Sequence, residues 1–180
     1  YAIDVSQACR EHGIKSVAVT AGYVCDEPRE EFYRHMDAAN VDLKGFTERF
    51  YKQVCGGSLQ PVLDTLRYIK HHTNVWLEIT TLVIPGENDS EAEIERLTQW
   101  VVEQLGPDVP IHFSAFHPDY KMLDKSATSP ATLAMARNIA MKNGIRYAYT
   151  ANVQDGEGGS TYCHHCHEKL IGRDWYELNE

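Results

Sequence analysis

Long apolar runs are missing from this 180-residue chain. The longest are strand-sized, far short of the roughly 20 residues a spanning helix needs, and no signal-peptide pattern opens the sequence. A membrane protein is not expected. Positive charge is scarce as well: 17 Lys and Arg stand against 26 Asp and Glu, a formal net charge of -9. Phosphate backbones are held by clustered cations, so nucleic acid is not expected as the main partner. The five cysteines, Cys9, Cys25, Cys55, Cys163 and Cys166, are odd in number and mostly scattered. That is poor material for a secreted disulfide framework and points to a reducing, cytoplasmic setting. The absence of a short self-similar period excludes a solenoid. What remains, 43% hydrophobic and 24% charged residues, is the composition of an ordinary globular domain. The chain opens at Tyr1 inside a helical pattern and stops soon after an unpartnered cysteine pair, so a piece of a longer protein is expected.

Taken in order, helical and strand periods alternate. Helical spacing over Ala2 to His12 ends at Gly13, and Ser16 to Thr20 reads as a buried strand. Pro28 with Glu30 and Glu31 opens a helix expected to run to about Ala39. Ser58 introduces an amphipathic helix with Leu59, Val62, Leu63, Leu66 and Ile69 in one stripe. Val75 to Ile84 is the longest strand, followed by a capping box, Ser90 with Glu93, on a helix that Gly106 stops. Ile111 to Phe116 is a strand, Ser129-Pro130 caps a helix to Asn143, and Arg146 to Tyr149 is a last short strand. Gly, Asp and Glu dominate from Gln154 to Ser160, which reads as a linker to a tail.

Strands alternating with helices of this length mean crossovers and a parallel sheet. The decisive stretch is Asn40-Val41-Asp42-Leu43-Lys44-Gly45-Phe46. Two charges two positions apart share one face, opposite Val41 and Leu43. The pair reads either as a structural ion pair or as a receptor for a zwitterionic ligand, whose ammonium wants a carboxylate and whose carboxylate wants an ammonium. Thr20, Asp42, Lys44, Glu78 and Thr80 make a set of polar strand residues assigned to one inward face. A doubly wound sheet covered on both faces would carry apolar strands. Repeated polarity instead fits an α/β fold built as a partial (β/α) TIM-type barrel, parallel strands inside and helices outside, with a ligand at the carboxyl ends of the strands.

Four motifs in register, Thr20-Ala21-Gly22-Tyr23, Asp42-Leu43-Lys44, Leu82-Val83-Ile84-Pro85-Gly86-Glu87-Asn88-Asp89 and Phe116-His117-Pro118-Asp119-Tyr120, carry a resemblance across nearly the whole chain. It resembles the pyruvate formate-lyase activating enzyme branch of the radical S-adenosylmethionine (SAM) proteins, and within it the AmmeMemoRadiSam subgroup, which is similar also in its cysteine-pair tail. The resemblance implies a barrel that binds a four-iron (4Fe-4S) cluster and SAM and cleaves SAM reductively to a 5'-deoxyadenosyl radical. That radical would abstract hydrogen from a protein or small-molecule substrate. It further implies Lys44 at the SAM carboxylate, Asp42 at its amino-acid end directly or through a bound cation, His117 at the ribose and Thr20 lining the same end. By strand parity His117 reaches the lumen only if the chain turns before Pro118. Glu78 reads as a lumen acid contacting substrate or SAM, or equally as a partner for Lys44. Association with Memo-type and AMMECR-type proteins is implied by the relatives alone.

Two departures from the pattern stand out. Ala21 and Val19 replace an Asn and an Asp expected near the SAM amino group. The Cys-x-x-x-Cys-x-x-Cys cluster loop and the Gly-rich SAM motif are absent from residues 1–180, so the cluster ligands are expected outside this fragment and the fragment alone inactive. Residues 1–153 are read as the carboxyl-terminal part of the barrel and 154–180 as linker and tail. In the tail, Cys163 and Cys166 read first as half a zinc ribbon, with His164, His165 or His167 available to complete a site. Cys-x-x-Cys-His haem attachment and a redox dithiol are the lesser readings. Cys55, beside Gly56-Gly57, is either substrate-facing or a small buried hydrophobe. Tyr147, Tyr149 and the Trp175-Tyr176 pair are expected to serve packing. The rival to an enzyme is a non-catalytic metal-binding or protein-interaction module on an α/β scaffold.

Overall fold

The computed structural model describes residues 1–175 and 177–179. After helix α1 (Ala2–Glu11), strands and helices alternate: β1 (Val17–Thr20), α2 (Asp26–Tyr33), β2 (Ala38–Asp42), a short α3 (Glu48–Phe50) that widens into a π-helical turn at Tyr51–Cys55, and α4 (Gln60–His72). Then come β3 (Trp76–Val83), α5 (Glu91–Leu105), β4 (Ile111–Ala115), α6 (Pro130–Lys142) and β5 (Ala148–Ala151). The five strands form one parallel sheet in the order β1-β2-β3-β4-β5. A sheet whose strands follow in sequence, joined by crossovers of one hand, carries its helices on one face. Burial agrees: Ala39, Val41, Leu77, Ile79, Ile111 and Phe113 are buried, together with Leu66, Ile69, Ile94, Leu97, Val101 and Leu133 of the helices. On the other face the strand residues are mostly half-exposed and polar. The tail adds β6 (Thr161–Tyr162), β7 (Lys169–Asp174) and β8 (Glu177–Asn179), an antiparallel sheet of its own.

The caps act as their residue types dictate. Ser90 and Ser129 accept the backbone N–H groups of Glu93 and Thr132. The capping box is half kept, because Glu93 uses its carboxylate on a distant backbone group described below. Two expectations fail. Helix α2 stops at Tyr33, since Ala38 and Ala39 are drawn into β2 by pairing with Val17 and Ala18, tertiary pairing overriding alanine's helical preference. And β1 is a sheet edge, with Val17 and Val19 exposed at 61% and 79%. Val19 pairs with Asn40 and Thr20 with Val41, so Thr20 looks toward the helices and not, as expected, along with Asp42.

The stretch read as a linker is an ordered turn. Asp155 accepts from the Thr150 hydroxyl and the Gly158 amide, both at 2.9 Å. Thr150 N–H bonds the Gly158 carbonyl at 3.0 Å, and a Cβ on Gly158 would overlap Thr150 and Asp155. Arg173 of β7 then donates to Thr161 and to the Gly159 carbonyl, tying the tail down. Tyr176 lies outside the described residues.

Candidate functional site

Lys44 stands two residues beyond the end of β2, where no strand partner holds the backbone. Side chains from three neighbouring elements hold it instead. The Thr81 hydroxyl donates to the Leu43 carbonyl at 2.8 Å, the Lys44 N–H donates to the Tyr51 hydroxyl at 3.2 Å, and Asn88 Nδ2 donates to the Lys44 carbonyl at 2.6 Å. The Glu93 carboxylate accepts the Phe46 N–H at 2.7 Å. Burial pushes the Tyr51 phenol up, so it stays protonated beside Lys44. Tyr51 opens the π-helical turn, a geometry that recurs at functional sites. Asn88 is itself buried and also donates to Leu82 O at 2.9 Å while accepting Ile84 N–H at 2.6 Å. The Pro85–Asp89 motif is thus a device that joins the ends of β2 and β3.

So presented, Lys44 Nζ donates to Asp42 Oδ2 at 2.8 Å, with the two side chains 41% and 32% exposed. An ion pair this open is worth only about 0–1 kcal/mol and is easily exchanged for an incoming zwitterion. Lys44 is not the partner of Glu78, as one reading had it. Thr20 shares the carboxyl end of the sheet but not the face, and its hydroxyl accepts Gly22 N–H at 3.1 Å. His117 is exposed just beyond β4. Cys55, an exposed residue, ends the π-helical turn, and partial burial of its thiol holds the pKa above the ordinary value against the pull of nearby Lys44.

A second cluster occupies the same open face. Glu78 Oε2 meets His112 Nε2 at 2.7 Å and Glu78 Oε1 accepts from Trp76 Nε1 at 2.9 Å. The His112 ring stacks on Tyr149, centroids 5.1 Å apart and planes 22° apart. Asp42, Thr80, His112 and Tyr149 are lateral neighbours across four strands. The alternation of His112 with Ile111 and Phe113 is the one sequence signal that puts it on the polar face. Tyr147 and Tyr149, expected only to pack, line a cavity of about 590 Å³ with Glu78 and His112.

The hydrogen bond from His112 holds Glu78 below its ordinary 4.5, against burial and with help from Trp76. A carboxyl depressed by folding contributes stability that is present above its unfolded pKa and lost as pH falls through the folded one. Glu78→Gln is therefore expected to lower stability at pH 7, with the gap between variant and parent closing as pH falls below about 4.5. Urea unfolding at pH 7, 5, 4 and 3 checks this; a gap constant down to pH 3 contradicts it.

In the tail, Cys163 N–H bonds Glu168 O at 2.8 Å and His167 N–H bonds Cys163 O at 2.9 Å, closing a tight turn on the cysteine pair. The Cys163 thiol is held low by backbone N–H groups of Cys166 and His165 and by the Cys166 thiol. Among the described residues, however, no three His, Cys, Asp or Glu side chains gather into a group that would hold a metal ion. Cys163, Cys166 and His167 are accordingly not brought together as a ligand set. Among the described residues no helix is long and apolar enough to cross a membrane.

No family model matches the chain. An uncharacterized protein of Methanocaldococcus jannaschii is 42% identical over 170 residues, 94% of the chain and 50% of the relative. The pyruvate formate-lyase-activating enzyme of Clostridium pasteurianum is 27% identical over 139 residues, 71% of the chain and 57% of the enzyme. The chain spans about half the length of the curated relatives it matches. Among solved structures it is similar to a domain of a pyruvate-formate lyase-activating enzyme from Bacteroides vulgatus, with a TM-score of 0.72 at 19% identity, covering 82% of the chain and 88% of that domain. A radical SAM methyltransferase from Sphaerobacter thermophilus gives 0.52 at 16% identity, over 63% of the chain and 33% of that protein. The solved structures show the fold, a parallel five-stranded α/β sheet similar to radical SAM domains; the sequence match to the activating enzyme supports the radical SAM superfamily.

Proposed function

We propose that this chain is the carboxyl-terminal part of a cytoplasmic radical SAM enzyme of the activating-enzyme type, in the AmmeMemoRadiSam branch, acting on a protein or small-molecule substrate. The sheet is read as an arc of a (β/α) barrel whose polar open face becomes the lumen. One observation carries the reading: the loosely held Asp42–Lys44 pair, on a backbone fixed by four side chains, at the carboxyl end of that face.

The pair fits the methionine end of SAM. Lys44 would take its carboxylate, Asp42 its ammonium, and His117, just past the end of the next strand but one, the ribose. Glu78 has a donor on each oxygen already and leaves this set. A four-iron cluster finds no fit, because the described residues bring no three thiolates together. In superfamily members the cluster supplies the electron that cleaves SAM. This chain's own contribution is orientation and charge. The cysteine pair alone is two ligands of the four that structural zinc takes.

The test is calorimetric titration of SAM into the full-length, cluster-reconstituted protein. Lys44→Ala is expected to weaken binding by about 10- to 100-fold, the worth of a charge-assisted hydrogen bond. Binding unchanged by Lys44→Ala defeats the reading, and metal uptake confined to Cys163 and Cys166 without SAM binding favours a metal-binding module.

A further inference from the structure

We propose that the cavity between the open face of β3–β5 and the tail is a second ligand site, built for a flat aromatic ring that bears a carboxylate. It lies apart from the methionine-end site, for none of Asp42, Lys44 and His117 lines it. Its volume is about 590 Å³, with walls from Trp76, Tyr147, Tyr149 and Trp175. The two tryptophans, 59% and 63% exposed, present ring surface at its edge.

Hydrogen-bond capacity decides what polar group the ligand carries. Both acids in the cavity are occupied on each oxygen: Glu78 by Trp76 and His112, Asp155 by Gly158 and Thr150. A carboxylate only accepts, so His112 turns Nε2–H toward Glu78 and leaves Nδ1 as its open nitrogen. Arg173 spends Nη1 on Thr161 and Gly159. Among the described residues no partner meets its Nε or Nη2, nor His112 Nδ1. The unfilled groups are thus a guanidinium edge, which only donates, and the second imidazole nitrogen. Arg173 stands 5.8 Å from the Tyr149 ring on which His112 stacks, so guanidinium and imidazole share one aromatic platform. Among the described residues the open guanidinium edge has no anion of its own and asks for a flat acceptor at that platform. A carboxylate matches the planar guanidinium fork, and the ring behind it covers the indoles and phenols.

The probe is 2-naphthoate, titrated calorimetrically into the protein beside its neutral isostere 2-naphthamide. Saturable binding of naphthoate with a Kd on the order of 1 mM or tighter is expected. It should weaken about tenfold or more in His112→Ala and in Arg173→Ala, and for the amide. The acid and amide comparison on the unaltered protein needs no variant to fold. No saturable naphthoate binding overturns the proposal, as do equal affinities for acid and amide or indifference to both substitutions. None of these outcomes bears on SAM affinity, which Lys44→Ala reads separately.

Discussion

Asn88→Ala lowers the stability of this chain by about 3–5 kcal/mol, since it orphans three backbone groups at once and each buried unpaired group costs about 1–3 kcal/mol. Those groups are the Ile84 N–H and the carbonyls of Lys44 and Leu82. Part of the cost is recovered where water reaches the loop, which keeps the total below the arithmetic maximum. Against a total of about 5–15 kcal/mol for a domain, this is a large fraction. At this chain length it corresponds to a fall in Tm of roughly 10 °C, measured by circular dichroism.

Asn88→Asp sharpens the case. It keeps an oxygen for Ile84 N–H but aims its second oxygen at two carbonyls, 2.6 and 2.9 Å from the present nitrogen. An isosteric change that replaces two attractions by two repulsions should destabilise as much as alanine does. If the aspartate variant unfolds within about 1 kcal/mol of the parent, the amide is not the joint described, because hydrogen bonds of this kind exceed that sum.

The fold was legible wherever one period dominated. The α4 stripe, the caps at Ser90 and Ser129 and the alternation of Val41 and Leu43 against Asp42 and Lys44 follow from local rules, and each holds in the structure. Local rules say nothing about which face of an edge strand is covered; the pairing of Val19 with Asn40 and Thr20 with Val41 is what exposes Val17 and Val19 and turns Thr20 toward the helices. The site was legible in part for the same reason. Asp42 and Lys44 announce themselves by their two-residue spacing, although β2 ends at Asp42 and Lys44 lies beyond it. The Glu78–His112–Tyr149 group is assembled across three strands, and its members are separated by up to 71 positions (149 − 78), a distance no periodicity spans. Gly and Asp mark both linkers and tight turns, so composition alone does not describe the bonded turn at 154–160. Only the bonds to Thr150 separate the two.

Gly22→Ala is the second large effect, because two penalties meet at one Cβ. The residue has φ +65°, a backbone that costs an L side chain about 1–2 kcal/mol. The added methyl would also stand 2.8 Å from Val41 Cγ1, with Thr65 and Val62 at 3.6 and 3.7 Å behind it. Val41 is fully buried on the helix side of β2 and has no free volume to retreat into, so overpacking adds about 1–3 kcal/mol. The sum is a loss of about 2–5 kcal/mol. Gly13→Ala is the control: its φ is +72°, and a Cβ there meets nothing within 4 Å, so it should show the conformational cost alone. Subtracting one ΔΔG from the other in urea isolates the collision with Val41. Displacing Val41 moves the strand residue next to Asp42, so Gly22→Ala should also weaken SAM binding in the full-length protein while Gly13→Ala does not. Equal losses for the two glycines would mean that the β1–α2 turn is free to shift away from β2, and that it plays no part in fixing the charged pair.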